Sequence, residues 1–233
     1  MTKENTNSMV SAVSPIRARR LVNKYHYSGT TPTIMYSFGL FQENELIGVC
    51  TFGKGANRNM MKPIEAQGWN FLELTRLALK YNRKNEASHL VAKSLELLPK
   101  STLVVSYADR YWNHSGKIYQ ATNWLYTGIG AIGYTLYLDG EKTHIKSLWE
   151  GSGSNKFEVM KRKYGDRLQA EESPGKHRYF FPLGRNKKEK KQMKKWIDEQ
   201  FGIKDFPKEE SERYDADEIR DQKKSNKKLK TII

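Results

Sequence analysis

Within 21 residues, Ser106 to Tyr126, the chain gathers one Asp, one His, four Tyr and two Trp among small hydroxyl and amide residues. Carboxylate, imidazole and phenol move protons, and aromatic rings stack on planar ligands. The stretch follows Leu103-Val104-Val105, a continuous apolar run typical of a strand covered on both faces. It starts at the carboxyl end of that strand, where α/β sheets bind their ligands. Packing alone does not demand so many proton-handling groups there, so the segment reads as the chemical centre of an enzyme.

Each residue has a chemical reading and a plainer one. Asp109 orients or deprotonates an attacking amine, or caps a turn. His114 is a general base, a partner of Asp109 or a metal ligand, or else a hydrogen-bonded histidine at a helix start. Tyr119 protonates a leaving group, or packs as a half-buried core phenol. Tyr107 and Asp109 share one face of an extended strand and Ser106 takes the other, so one of the two rows faces the ligand. Upstream, Glu73 and Arg76 contact substrate or form a structural ion pair, and either role requires a partner inside a sheet. Tyr25, His26 and Tyr27 stack on a planar ligand or staple the first helix. Trp112, Asn123 and Tyr126 complete the substrate-binding set. Arg17, Arg19, Arg20, Lys176 and Arg178 read as phosphate contacts, the last two otherwise as a solvated strand end. Among His26, His89, His114, His144 and His177 no pair has zinc-hydrolase spacing, so no metal site is assigned. An ion held by His and carboxylate from separate segments stays open.

These groups need a scaffold. Residues 1–14 read as loose, and Pro15 to Tyr25 as a basic helix with proline in its first turn. Residues 34–41 and 45–52 read as a hairpin turning at Gln42-Glu43-Asn44. Residues 53–68 read as a flexible loop, Phe71 to Leu79 as a strand, and Ser88 to Leu98 as a helix N-capped by Ser88. After the Leu103–Val105 strand, the pattern predicts a helix over His114–Trp124 and one extended run over Tyr126–Leu138, ending at Asp139-Gly140. A short helix near 155–164, a last strand over Arg178–Leu183 and a charged helix over Lys187–Gln200 follow. Beyond Lys204 the composition is that of a solvated tail. Helix, hairpin and alternating strands and helices make an α/β chain with a mixed, mostly antiparallel central sheet flanked by helices. The expected organisation is a loose start (1–14), a catalytic domain (15–185), and a basic helix with a flexible tail (186–233).

The chain of 233 residues carries a formal charge of +15. Of its 41 Lys/Arg and 26 Asp/Glu, only 15 and 11 lie from Asn186 onward, so the excess belongs mainly to the folded part. Cations neutralise phosphate and interleaved rings stack on unpaired bases, which points to nucleic acid; a surface charged only for solubility is the plainer reading. The single Cys50 excludes a disulfide framework and reads as a buried, inert thiol. No apolar run is long enough to span a membrane, and no signal-peptide core is present. The expectation is a soluble, cytoplasmic protein; the oligomeric state stays open.

The element order resembles the GNAT acyltransferase fold, with Ile118-Tyr119-Gln120-Ala121-Thr122-Asn123-Trp124 at the end of the helix that carries the family's tyrosine acid. That resemblance makes Arg83, Lys84, Asn85 and Ser88 the donor-phosphate turn. One departure stands out: Glu86 replaces the glycine that the acetyl-CoA turn wants, and a carboxylate there opposes phosphate.

A longer match covers roughly residues 20–130. His26-Tyr27, Glu73-Leu74-x-Arg76-Leu77, Ser106-Tyr107-Ala108-Asp109 and His114-x-Gly116-x-Ile118-Tyr119-Gln120-Ala121-x-Asn123-Trp124-x-Tyr126-x-Gly128 look like the Mom family of bacteriophage DNA-modification proteins. The resemblance implies conversion of adenine in DNA to a carbamoylmethyl derivative at the exocyclic amine, which protects phage DNA from restriction in the host cytoplasm. It further implies DNA as partner; the atoms of that product, with Glu86 opposing acetyl-CoA, favour glycyl-tRNA over acetyl-CoA as the activated acyl donor. An acyl-CoA-dependent N-acetyltransferase and a non-catalytic DNA-binding protein are the competing readings.

Overall fold

The computed structural model describes residues 8–55, 58–143 and 145–208, so His144 and the tail from 209 lie outside the described residues. In chain order the elements are β1 (Ser8–Ala12), α1 (Pro15–Tyr25), β2 (Tyr36–Gln42), β3 (Glu45–Gly53), α2 (Arg58–Glu65), β4 (Asn70–Leu79), α3 (Glu86–Leu97), β5 (Thr102–Ala108), α4 (Lys117–Ala121), β6 (Leu125–Ile129), β7 (Gly133–Leu138), β8 (Glu141–Thr143), α5 (Ile145–Ser152), α6 (Phe157–Tyr164), β9 (Leu168–Ser173), β10 (His177–Leu183) and α7 (Lys187–Phe201). Seven strands form the main sheet in the order β1-β2-β3-β4-β5-β10-β6. Only β4 and β5 run parallel; the other pairs are antiparallel. The mixed, mostly antiparallel sheet with helices on both faces is the architecture expected from sequence.

Helix α1 forms where predicted because Ser14 accepts a hydrogen bond from the Arg17 amide and Pro15 fills the first turn. It buries Ala18, Leu21 and Val22 against Val49 and Ala78. The β2–β3 turn has Glu43 and Asn44 at φ 49° and 66°, the left-handed pair that a two-residue hairpin needs. Parallel strands require a crossover. Helix α3 supplies it, packing Leu90, Val91 and Leu95 on one face of the sheet with Val104, Tyr119 and Trp124. The opposite face is covered by Met60 and Ile64 of α2 and Ile197 of α7, over Phe71, Leu103, Val105 and Phe180.

Several expectations are corrected. Residues 8–12, read as loose, pair with β2 as an edge strand; so short a segment is held by its ladder rather than by propensity. The supposed loop over 53–68 contains α2, whose Met60 and Ile64 are one turn apart on its buried side despite Pro63. Helix α3 begins at Glu86, not Ser88: Asn85 takes the left-handed capping position, and the Ser88 hydroxyl bonds the Asn85 carbonyl instead. The helix predicted over His114–Trp124 shrinks to five residues, preceded by a 3₁₀ turn over Arg110–Trp112. Gly116 at φ 80°, packed on the Tyr179 ring, and Asn123 at φ 61° bracket it in left-handed backbone that an α-helix cannot run through. The extended run over 126–138 divides after Ile129. Strand β6 joins the main sheet, whereas β7 nucleates a second sheet, β8-β7-β9, which packs Leu136 and Leu168 on Leu148 of α5 and Met160 of α6.

Helix α7 forms as predicted and is clasped to the sheet at its start. The buried Glu189 carboxylate accepts from the Arg185 amide at 2.6 Å, the Arg185 guanidinium at 3.0 Å and the Ser101 hydroxyl at 2.7 Å. Arg185 first, then Ser101, hold its carboxyl down at about 2. A depressed acid stabilises the fold above its unfolded value, and that contribution disappears as pH falls toward 2. Glu189→Ala should cost about 1–3 kcal/mol at pH 7. In urea unfolding at a series of pH values, its deficit against the unsubstituted chain should shrink steadily below about pH 4.3.

Candidate active site

Strands β4 and β5 pair from Asn70↔Thr102 to Glu73↔Val105 and then separate, although β4 continues to Leu79 and β5 to Ala108. Their carboxyl ends therefore splay, and backbone groups that a continuous ladder would pair face the gap. The buried Ser106 hydroxyl spans it, 3.1 Å from the Leu74 carbonyl and 2.8 Å from the Tyr119 hydroxyl. The carbonyl only accepts and Ser106 has one proton to give, so the phenol donates to Ser106.

Glu73 and Arg76, three apart, would point to opposite faces of a regular strand. The ladder with β3 shows why they do not: Thr51 pairs with Arg76 and Phe52 with Leu74, leaving Thr75 as a bulge. Both charges consequently share the α1/α2 face. Burial raises the Glu73 carboxyl above its ordinary range, opposed by Arg76 and Lys176. Arg76 donates from Nε to the Thr30 carbonyl at 2.8 Å and from Nη1 to the Thr75 carbonyl at 2.6 Å. Gly55 faces the Glu73 carboxylate, and a β-carbon there would occupy its place.

Tyr107, at the end of β5, lies on the same face and donates to the Met60 sulfur at 3.8 Å. Burial, reinforced by the Glu73 charge, pushes its phenol up to about 12. Asp109 then caps the 3₁₀ turn, accepting from the Tyr111 amide at 3.1 Å, and pairs with Lys176 Nζ at 2.8 Å. Lys176 reaches it because the β10–β5 register sets His177 opposite Ala108. Burial draws His114 below its ordinary value, with the Asp109 charge opposing, so the imidazole is neutral near pH 7. Tyr27 completes the wall, its ring 5.3 Å from Trp112, 5.8 Å from His114 and 4.2 Å from His26. The Ser28 amide donates to His26 Nδ1, which fixes that ring's orientation.

The fold thus gathers Tyr27, Glu73, Arg76, Tyr107, Asp109, Trp112, His114 and Lys176 around the open end of the parallel pair. Ser106 and Tyr119 approach from the other face of the sheet. Tyr119 is buried between Trp124 and Tyr179, each with its ring 5.0 Å away, and burial raises its phenol well above the ordinary value. Other candidates lie apart. Tyr126 bonds His177 Nδ1 at 2.8 Å within the core. Tyr25 packs beside the α1 core under Lys24. Asn123 lines a separate groove with His89, Lys100 and Lys190. Arg17, Arg19 and Arg20 are exposed on α1. Arg178 is half-buried, bonded to Thr127 Oγ1 at 2.9 Å and lying over the Phe201 ring. The partnership of Lys176 with Asp109 was not visible in sequence, because only strand register joins residues so far apart.

The proposed donor turn is largely self-satisfied. The Glu86 carboxylate accepts from the Arg83 amide at 2.8 Å. Arg83 also donates to Gln42 at 3.0 Å and lies over the Tyr81 ring, while Lys84 is exposed. A resident carboxylate at this helix entry does not fit a pyrophosphate, and the turn is assigned no role in holding coenzyme A. Among the described residues no three His, Cys, Asp or Glu converge as a metal site, and no helix is long and apolar enough to cross a membrane. Cys50 is buried, and burial raises its thiol.

Among known proteins, the chain is 30% identical over 144 residues to the methylcarbamoylase mom of Escherichia phage Mu, a match covering 58% of this chain and 59% of that relative. It thus spans about three-fifths of that relative's length. Similar solved structures include an N-acetyltransferase from Staphylococcus aureus Mu50, at TM-score 0.42 and 13% identity over 76% of this chain and 99% of that one. Another is FeeM, an N-acyl amino acid synthase from uncultured soil microbes, at 0.44 and 14% over 78% and 93%. Likeness at that level is too slight to carry an activity across. The model of the Mom protein family, in contrast, matches residues 7–208, nearly the whole described length, and the chain belongs to that family.

Proposed function

We propose that this chain is a DNA-modifying transferase that converts adenine to its carbamoylmethyl derivative at the exocyclic amine. The observation that supports it most is the pairing of a proton-handling set, Asp109–Lys176 with neutral His114, to an aromatic wall at one open strand end. Family membership and the similarity to the phage Mu methylcarbamoylase support the same reading, as does the charge of +15.

Adenine's amine is paired in a duplex and its lone pair is delocalised into the ring. The base must leave the stack, and Tyr27 and Trp112 offer faces to receive it. His114 takes the amine proton as the nitrogen attacks an activated acyl carbon. Asp109 positions it and stabilises the imidazolium, and Lys176 holds the Asp109 carboxylate in place. Tyr119, held protonated by burial, is the proton source for the leaving group: Ser106 turns its own proton from the Leu74 carbonyl to that group as it takes the phenol's. Glu73 and Arg76 hold the substrate edge nearest β4.

The product contains the atoms of glycinamide, which favours a glycyl ester as donor. Acyl transfer gives a glycyl amide; its free amine attacks the ring carbon and expels the original nitrogen as the carboxamide. Cells expressing the chain and fed isotope-labelled glycine should yield modified adenosine with label, read by mass spectrometry of their DNA nucleosides. Absence of modified adenosine overturns the proposed function; unlabelled modified adenosine overturns only the glycyl route.

A further inference from the structure

Exposed apolar side chains collect beside this site. Ile129, Ile132 and Tyr134, 46%, 57% and 67% exposed, lie on or next to the link between β6 and β7, with exposed Tyr111 on the neighbouring 3₁₀ turn. Such a cluster marks a contact surface. The link is firmly rooted. Gly130 donates its amide to the Lys176 carbonyl at 2.8 Å, and Gly175 packs so closely on the Gly130 carbonyl that a β-carbon would collide. Lys176 is also the residue whose amine pairs with Asp109, so one residue fixes both the link and the site. Cations flank the root: Lys176 itself, Lys204 against Gly128, and Arg178 on Thr127. Carboxylates are close as well: Asp109, already paired, Glu73, which also feels the Lys176 charge, and Glu172, opposite Tyr134 in the β7–β9 ladder.

We propose that Ile132 is a wedge that enters the base stack of duplex DNA and holds open the space vacated by the target adenine. The inference rests on the DNA-modifying reading and adds the residue that makes a paired base accessible. Extrusion costs a few kcal/mol of pairing and stacking. An apolar side chain inserted at the step restores contact with the bases left behind. Isoleucine suits this because its branched β-carbon limits χ1. The flanking cations meet the phosphates on either side, and the Tyr27–Trp112 wall lies beyond Lys176 and Asp109 to take the base.

Permanganate oxidises thymines that have lost their stacked partner, so it reports extrusion in any sequence and without a donor. The full chain on plasmid-derived duplex should create reactive thymines. Ile132→Ala should lower that reactivity about tenfold, while its DNA affinity and salt slope stay within about twofold. Ile132→Leu should retain reactivity, and Leu97→Ala, on the exposed end of α3, should match the unsubstituted chain. Thermal unfolding of each variant checks that the fold persists. Equal reactivity for Ile132→Ala overturns the wedge, and so does duplex binding by the unsubstituted chain with no reactive thymine; both leave the DNA-modifying reading standing. If the unsubstituted chain neither binds duplex nor modifies adenine in cells, both ideas fall together.

Discussion

Asp109→Asn should reduce modified adenosine in cellular DNA at least a hundredfold while leaving DNA affinity unchanged or slightly raised. General acid–base groups contribute about 10²–10⁴ in rate, and this substitution removes the charge that stabilises the His114 imidazolium. The Asn side-chain oxygen can still accept from the Tyr111 amide, so the turn survives. Lys176 loses its carboxylate partner at 2.8 Å, leaving one more unpaired cation facing the DNA. Lys176→Met should also lower modification, with weaker binding and a smaller salt slope. Nucleoside mass spectrometry and fluorescence anisotropy at two salt concentrations separate the outcomes. Loss of affinity in Asp109→Asn would identify a binding role and overturn its assignment to proton chemistry.

The second large effect concerns the bulged pair on β4. Arg76→Met should cost about 1–3 kcal/mol at pH 8, because the half-buried Glu73 carboxylate loses its principal opposing charge and keeps only that of Lys176. Glu73 is already raised above its ordinary range by burial, and Arg76 is the principal opposing charge. Removing it raises Glu73 further. A raised acid favours the fold only while protonated, and its unfolded value is common to both chains, so the deficit of Arg76→Met should grow as pH rises past the folded value of the unsubstituted chain and level off above that of the variant. Urea unfolding at pH 5 and pH 8 should show the larger loss at pH 8. Glu73→Gln combined with Arg76→Met should recover most of it. A deficit independent of pH, or a double variant no better than the single, would mean that Arg76 matters for its bonds to the Thr30 and Thr75 carbonyls rather than for its charge.

Local pattern made much of the scaffold legible. Apolar continuity at Leu103–Val105, the Pro15 start of α1 and the turn at Gln42-Glu43-Asn44 are short-range features, and each element formed there. Where tertiary contact overrode local preference, the sequence reading failed. Left-handed backbone at Gly116, under Tyr179, and at Asn123 cut a promising helix to five residues, and pairing with β2 turned a polar start into β1. Helix α2 was obscured by Pro63, although its Met60 and Ile64 carried the helical spacing.

The sequence alone determined the chemical inventory: which residues move protons, which rings can stack, the cationic balance that suits a polyanion, and the family. Those properties reside in side chains and in linear spacing. Only the tertiary structure decided which of them meet. The Thr75 bulge turned Glu73 and Arg76 to one face, the β10–β5 register brought Lys176 to Asp109, and the parting of β4 from β5 opened the gap that Ser106 spans. Register, bulge and splay arise from pairing between segments distant along the chain, so no local pattern encodes them.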